Sequence, residues 1–247
     1  MDLEDKTILV TGGSRGLGAG IVSALAARNA NVISLSRNEA NRSPAAAEHM
    51  QGDITDRDLA RHIIAERSPD IIILNAGAIP STVPIDVVSW EAFSGPWDAD
   101  VKGALAWTQA CLTAPMRRGG IVLSVSSGAA INGSPLSGGY AGSKRMLWLM
   151  ANYANALAAE RELDLLFQTV VPMQMVAATG VGDAASKAYS LRMGIDPAIF
   201  LERFGQPLAP PSFGEYVAQI LEKSDRSVRA YGVKGDTGVT ELEVEAH

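Results

Sequence analysis

Short apolar runs alternate along the chain with longer amphipathic stretches. Thr7 to Thr11 is the first β-branched run, Leu17 to Arg28 follows with apolar positions at helical spacing, and Asn31 to Ser36 is the next run. Asp56 to Arg67 then reads as a helix, Asp70 to Asn75 as a strand and Trp97 to Arg117 as a long helix. Gly120 to Ser126 follows as a strand, Ala141 to Glu162 as a second long helix and Leu165 to Val171 as a strand. Strands that are apolar along nearly their whole length are covered on both faces. Strand-helix-strand repetition with such strands predicts a parallel sheet between two helical layers, a doubly wound α/β fold. Ligands of such sheets sit beyond the carboxyl ends of the strands, so the residues just after each run are where binding chemistry is expected.

Four motifs fall there. Thr11-Gly12-Gly13-Ser14-Arg15-Gly16-Leu17-Gly18 is a glycine-rich turn between the first strand and the first helix. Its glycines permit positive φ and close backbone approach, and the helix N-terminus offers free N–H groups to a pyrophosphate, although such a loop alone is as often a plain turn. The second strand ends in Ser36-Arg37, where an enzyme that prefers NAD commonly carries an acid for the ribose 2′-hydroxyl. Arg37, with Arg15 from the glycine loop, would instead neutralise a 2′-phosphate and so favours NADP, against the alternative of two solvated surface arginines. Asn75-Ala76-Gly77 closes the Asp70 to Leu74 run with small residues that suit either a cofactor ribose or a simple turn. Finally, Ser127 is followed, after twelve intervening residues, by Tyr140, and Lys144 lies four positions further on. On a helix Tyr140 and Lys144 share a face, so the ammonium would favour phenolate and make Tyr140 a proton donor near neutral pH. The plainer alternative is a tyrosine anchoring a helix end and a lysine facing water.

Together and in this order, the glycine loop, Asn-Ala-Gly and Ser-x12-Tyr-x3-Lys resemble the short-chain dehydrogenase/reductase family from Thr11 to about Val171. The resemblance implies a Rossmann-type three-layer fold and residue roles by position. Gly12, Gly16 and Gly18 would cradle the pyrophosphate with Ser14, Arg15 and Leu17, and Asp53 with Ile54 would meet the adenine. Asn75 to Gly77 would line the cleft, and Pro172, Met173 and Met175 would face the nicotinamide. Lys144 would hold the nicotinamide ribose, Ser127 the substrate oxygen, and Tyr140 would give or take the proton. Hydride arriving at a carbonyl carbon leaves charge on oxygen that needs aimed donors and then a proton, which Ser127 and Tyr140 would provide.

The sequence also departs from the family pattern. The usual Asn-Asn-Ala-Gly is Leu74-Asn75-Ala76-Gly77, and Pro-Gly is Pro172-Met173. The threonine that often contacts the carboxamide falls at Ala177, with Thr179 nearby as a substitute. Asp100 stands where the family carries an asparagine that binds a proton-relaying water, and an ionised carboxylate cannot donate. Either Asp100 pairs with Lys144 through water, or activity is reduced or differently dependent on pH.

Composition removes other classes of function. With 21 Lys and Arg against 27 Asp and Glu, a net charge of −6 and no basic block, nucleic acid is not an expected partner. No apolar run approaches membrane-spanning length and Met1 to Lys6 is no secretory signal, so a soluble, cytoplasmic protein is expected. His49, His62 and His247 are too scattered for a metal site, and Cys111, the lone cysteine, reads as a buried thiol. Residues 1–247 are expected to form one catalytic domain, with a lid at about 173–212 carrying short helices over Ala184 to Met193 and Pro197 to Phe204. Met173, Met175, Val176, Tyr189, Leu191, Met193 and Phe200, with Ile131 and Leu136, would supply an apolar substrate wall. By resemblance the two long helices would build a homodimer or homotetramer. The expected activity is reduction of a small or medium apolar ketone or aldehyde by NADPH. The alternatives are a 3-oxoacyl thioester reductase, with Arg117-Arg118 meeting an acidic carrier, and a non-catalytic NADP-binding sensor.

Overall fold

The computed structural model describes residues 1–37, 47–113, 116–176, 178–205 and 208–243. The chain runs β1 (Thr7–Thr11), α1 (Gly16–Ala26), β2 (Asn31–Ser36), β3 (Glu48–Gln51), α2 (Arg57–Arg67) and β4 (Ile71–Leu74). After β4 come α3 (Trp90–Pro96), a π-helical turn (Trp97–Val101), α4 (Lys102–Thr113), β5 (Ile121–Val125), α5 (Ala129–Asn132), α6 (Gly138–Glu160) and β6 (Leu166–Pro172). The last third holds α7 (Gly180–Met193), α8 (Pro197–Glu202), α9 (Pro210–Lys223), β7 (Ala230–Lys234) and β8 (Gly238–Leu242).

The strands form one sheet in the order β3-β2-β1-β4-β5-β6-β7-β8. It is parallel except at its edge, where β7 and β8 pair antiparallel. That edge, like β3 and α9, was not marked by the apolar pattern: β3 is short and polar, and β8 alternates without a buried face. One core lies under α1 and α9 and includes Ile8, Val10, Ile21, Leu25, Phe213 and Val217. The other lies under α2, α4 and α6 and includes Leu9, Ile64, Ile72, Trp107, Leu147 and Phe167. The doubly wound α/β class expected from the sequence is therefore the observed one. Among the described residues no helix is long and apolar enough to cross a membrane.

Local chemistry explains most element ends. Asp56 caps α2 by accepting from the Asp58 and Leu59 N–H groups, and Ser68 ends it in the left-handed region. The single long helix expected from Trp97 to Arg117 is instead a π turn followed by α4 and a non-helical end, and a separate short helix, α3, precedes it. Ser89 caps α3 by accepting from the Ala92 N–H, Gly95-Pro96 weakens the helix, and the next five residues take the wider π turn before α4. α4 stops at Thr113, ahead of Pro115, so Arg117 is not helical. The π turn matters because it carries Asp100 inward, fully buried.

The order of the strands reverses between β1 and β4, which places the glycine loop and the Asn75-Ala76-Gly77 segment on either side of one crevice. On the other face of the glycine loop, α1 and α9 touch backbone to backbone. A Cβ on Gly20 would lie 1.9 Å from the Pro210 oxygen, and one on Gly214 would lie 2.1 Å from the Gly20 oxygen.

Candidate active site

Thr11 ties the two loops of the crevice together. Its hydroxyl donates to the Ile73 oxygen at 3.3 Å and accepts from the Asn75 and Ala76 N–H groups at 3.0 and 3.1 Å. The Asn75 amide donates back to the Thr11 and Gly12 oxygens at 3.1 and 3.2 Å. Such close approach leaves no room for side chains: a Cβ on Gly12, whose φ is +69°, would sit 2.8 Å from the Ala76 Cα. A Cβ on Gly18 would sit 2.1 Å from the Gly12 oxygen, so Gly18 is required by the turn itself.

A cleft of about 780 Å³ opens beyond the carboxyl ends of the strands. From β1 and β2 it is lined by Gly12, Ser14, Arg15, Gly16, Leu17, Ser36 and Arg37, and from the segment after β3 by Asp53 and Ile54. Asn75, Ala76 and Gly77 follow β4, and Ser127, Tyr140, Lys144, Pro172 and Met175 complete the far wall. Three expected residues are not on that wall. Gly18 packs inside the loop; Asp100 lies behind Lys144; and Met173 is turned into the sheet, its N–H donating to the Val233 oxygen and its side chain packing near Trp148. Ile79, Asp98 and Gly180 to Gly182 line the cleft without having been expected, because no strand-end or motif signal marks them.

The adenine-side residues are firmly held. Asp53 accepts from the Thr55 N–H and hydroxyl, both at 2.9 Å. The Thr55 N–H is the main cause of a carboxyl pKa below the ordinary value; partial burial opposes the shift, and the Thr55 hydroxyl and the charges of Arg37 and Lys102 add to it. Trp107 donates from its indole to the Ile54 oxygen at 3.1 Å, bolting this segment to α4.

A second, smaller cavity of about 250 Å³ meets the cleft at Tyr140, the one residue among those described that lines both. Its walls are the segment between Pro80 and Pro96 and the turn from Ser134 to Gly139, with Val83, Ile85, Val88, Phe93 and Leu136 as the apolar part. Among the described residues no charged side chain lines it. The expected apolar wall is thus largely elsewhere. Leu191 is 81% exposed and Met193 is also exposed, while Phe200 is buried and stacks on Tyr189 at 5.9 Å. Tyr189 latches α7 to the turn before α6: its hydroxyl shares a 2.8 Å bond with Ser134 Oγ and accepts from the Leu136 N–H at 3.3 Å. Of the wall residues expected, Leu136 lines this cavity, and Met175 and Val176 line the cleft.

At the head of α6 the backbone of Phe93 passes so close that a Cβ on Gly139 would lie 1.9 Å from its oxygen, and Trp97 donates from its indole to the Gly139 oxygen at 3.0 Å. This fixes where Tyr140 begins. One turn on, Lys144 Nζ lies 5.6 Å from the Tyr140 ring centroid, and the Ser126 hydroxyl donates to the Lys144 oxygen at 2.8 Å. Lys144 Nζ also donates to the Val125 oxygen at 3.3 Å and stands 3.0 Å from Asp100 Oδ2. The contact with Asp100 is an ion pair off the line of a hydrogen bond, and it is direct, whereas the sequence suggested a water between them. Asp100 Oδ1 accepts from the Ala78 N–H at 2.7 Å. Ser127 Oγ accepts from the Ala129 N–H at 3.2 Å. Thr179, offered as a carboxamide contact, spends its hydroxyl capping α7: it donates to the Val176 oxygen and accepts from the Gly182 N–H, both at 3.0 Å. Ala177 lies outside the described residues.

The comparisons with known proteins agree with this layout. The sequence profile of the family described as short chain dehydrogenase matches residues 6–187. An NADPH-dependent pterin aldehyde reductase of Arabidopsis thaliana is 29% identical over 63% of this chain and 69% of its own. A 2,5-dichloro-2,5-cyclohexadiene-1,4-diol dehydrogenase of Sphingobium indicum is 32% identical over 58% of this chain and 62% of its own. Across the first relatives the match spans 56% to 69% of their length. Among solved structures, a 3-ketoacyl-(acyl-carrier-protein) reductase of Brucella melitensis complexed with NADH superposes with a TM-score of 0.75 at 20% identity, over 95% of this chain and 98% of that one.

Proposed function

Because this chain belongs to the short-chain dehydrogenase family of oxidoreductases, we propose that it is an NADP-dependent carbonyl reductase acting on a small or medium apolar ketone or aldehyde. The observation that carries the reading is the meeting of a long polar cleft and a small uncharged pocket at a single residue, Tyr140. A dinucleotide fits the cleft. Gly12 and Gly16 hold positive φ, and Arg15 makes no side-chain cap at the N-terminus of α1, so the first-turn N–H groups stay open to phosphate. Gly12, Ser14, Gly16 and Leu17 would hold the pyrophosphate, Asp53 and Ile54 the adenine, and Arg15 with Arg37 the 2′-phosphate. Bound there, NADPH would supply a hydride to the carbonyl carbon. Ser127 would donate to the carbonyl oxygen, Tyr140 would deliver the proton to it, and Lys144 would hold the nicotinamide ribose. The uncharged lining of the smaller pocket suits an apolar substrate and offers a carboxylate or phosphate no partner. The stretch at about 173–212, which borders the cleft through Met175, Val176 and Gly180 to Gly182 and is latched by Tyr189, would serve as the lid of the site.

The 3-oxoacyl thioester alternative loses the surface suggested for a carrier protein. Arg117 pairs with Asp70 at the amino end of β4, and Arg118 donates to the Glu162 oxygen ahead of β6. Both lie at the opposite end of the sheet from the cleft.

NADPH oxidation followed by absorbance over a panel of carbonyls, including an apolar diketone and a 3-oxoacyl thioester, tests the proposal. Turnover strongest on the small apolar ketones supports it. Turnover only on the thioester, or NADPH binding without any oxidation, moves the assignment to that reductase or to a sensor. Cofactor choice is checked separately with Arg37→Ala. Loss of a charge-assisted contact worth about 1.5–3 kcal/mol should weaken NADPH binding about tenfold or more while leaving NADH binding nearly unchanged.

An oligomer through α4 and α6 belongs to the same proposal, since Leu105, Tyr153 and Leu157 leave apolar surface exposed on those helices. Tyr153→Glu should shift the mass measured by light scattering to that of one chain.

A further inference from the structure

The ion pair behind Tyr140 is the feature that the proposed reaction does not by itself require. A single ammonium beside a phenol stabilises the phenolate and so eases loss of its proton, but here the ammonium is already matched. Asp100 is wholly buried and Lys144 has 7% of its side chain exposed, so neither charge is screened by water. We infer that Asp100 is a positioning residue that neutralises Lys144 directly and so keeps the Tyr140 hydroxyl protonated, which builds the site to give a proton to a carbonyl oxygen rather than to take one from an alcohol.

Geometry supports this from several sides. Asp100 is delivered by the π turn, which an unbroken helix from Trp97 would not form, and its second oxygen is fixed by the Ala78 N–H. Gly77 makes the room, since a Cβ there would lie 2.9 Å from Asp100 Oδ2. Among the described residues no other buried charge faces the pair. The elements packed on this part of α6 carry Glu91 on α3, Asp98 in the same π turn and Lys102 on α4, all exposed, and β5, α5 and β6 carry none. On α6 itself Arg145 lies over Trp148, 5.2 Å from its ring. Burial opposes the Lys144 charge, yet Asp100 and then the Tyr140 oxygen hold its pKa above the ordinary lysine value. The sign is that of a raised base: the Lys144 contribution to stability is complete below its ordinary pKa of 10.5 and is lost as pH rises through the higher folded value.

The inference rests on the proposed reading of Tyr140, and its test does not need turnover. Phenolate absorbance near 295 nm is titrated in the full-length protein and in Tyr140→Phe, whose difference isolates Tyr140 from the other tyrosines. In the wild type the difference should be absent at neutral pH and appear only under alkaline conditions. In Asp100→Asn, which keeps an acceptor for Ala78, the transition should move down by at least about one pH unit. Where a substrate is in hand, alcohol oxidation at neutral pH should rise about tenfold with that unit. A wild-type transition well below pH 9, or one that stays put in Asp100→Asn, overturns the inference. Should Asp100→Asn fail to fold, the wild-type titration alone still decides it. Failure of the carbonyl panel with the titration as expected would sink the substrate reading and leave this one standing.

Discussion

Tyr140→Phe should lower the turnover of any carbonyl substrate by about 10²- to 10⁴-fold, the range over which a positioned general acid acts, while NADPH still binds. The variant is well chosen because the hydroxyl is the only atom removed. Lys144 keeps its contacts with Asp100 and the Val125 oxygen, and the glycine pair ahead of Tyr140 stays packed on Phe93. Melting temperature should therefore move little, and stopped-flow measurement of NADPH binding should give a dissociation constant close to that of the wild type. A variant that loses binding and turnover together would show that the phenol seats the dinucleotide. A variant that loses neither would place the proton donor elsewhere.

The largest effect on stability is expected at a position far from the chemistry. Gly20→Ala adds one methyl where α1 meets the start of α9, and its target is the Pro210 carbonyl, a backbone group that cannot rotate away. Overpacking of this kind costs about 1–3 kcal/mol and more when the neighbour is rigid. A loss of about 3 kcal/mol corresponds to a fall of roughly 6–12 °C in melting temperature for a chain of this size. Calorimetry checks it, with Ala19→Gly on the same helix as a control that lowers helix propensity and adds no atom to the packing. Should Gly20→Ala melt with the wild type, the two helices must be able to part at little cost.

Much of the layout was legible because its causes are local. Strands buried on both faces write themselves as apolar runs, so β1, β2, β4, β5 and β6 were found within a residue or two. Gly12, Asn75, Ser127, Tyr140 and Lys144 were legible because each sits just past a strand or on a helix turn of fixed spacing, and the fold brings them to one cleft. What stayed hidden depends on distant partners. Trp97 to Val101 read as the first turns of an α-helix because the apolar pattern runs on into α4, and only the π turn explains why Asp100 reaches Lys144 directly. Val83, Ile85, Val88 and Phe93 follow no period, so nothing in their order announced that they wall a pocket with Leu136. Leu191 and Met193 misled for the opposite reason, since apolar character alone does not say which way a side chain points.

One small contact has a bearing on how such a protein can change over time. Val176 and Leu208, both buried, form an isolated parallel bridge that joins the two ends of the excursion carrying α7 and α8. With its ends stitched together at the sheet, the excursion can lengthen or shorten at small entropic cost, because closing a longer loop grows expensive only logarithmically. Residues between the stitches can thus be exchanged as a cassette: Gly180 to Gly182 line the cleft and Tyr189 holds the turn that walls the small pocket, so an exchange would reshape the rim of both while Ser127, Tyr140 and Lys144, which lie outside it, keep their places. A lineage descended from this chain could acquire new substrates by rewriting about thirty residues and leaving the rest untouched.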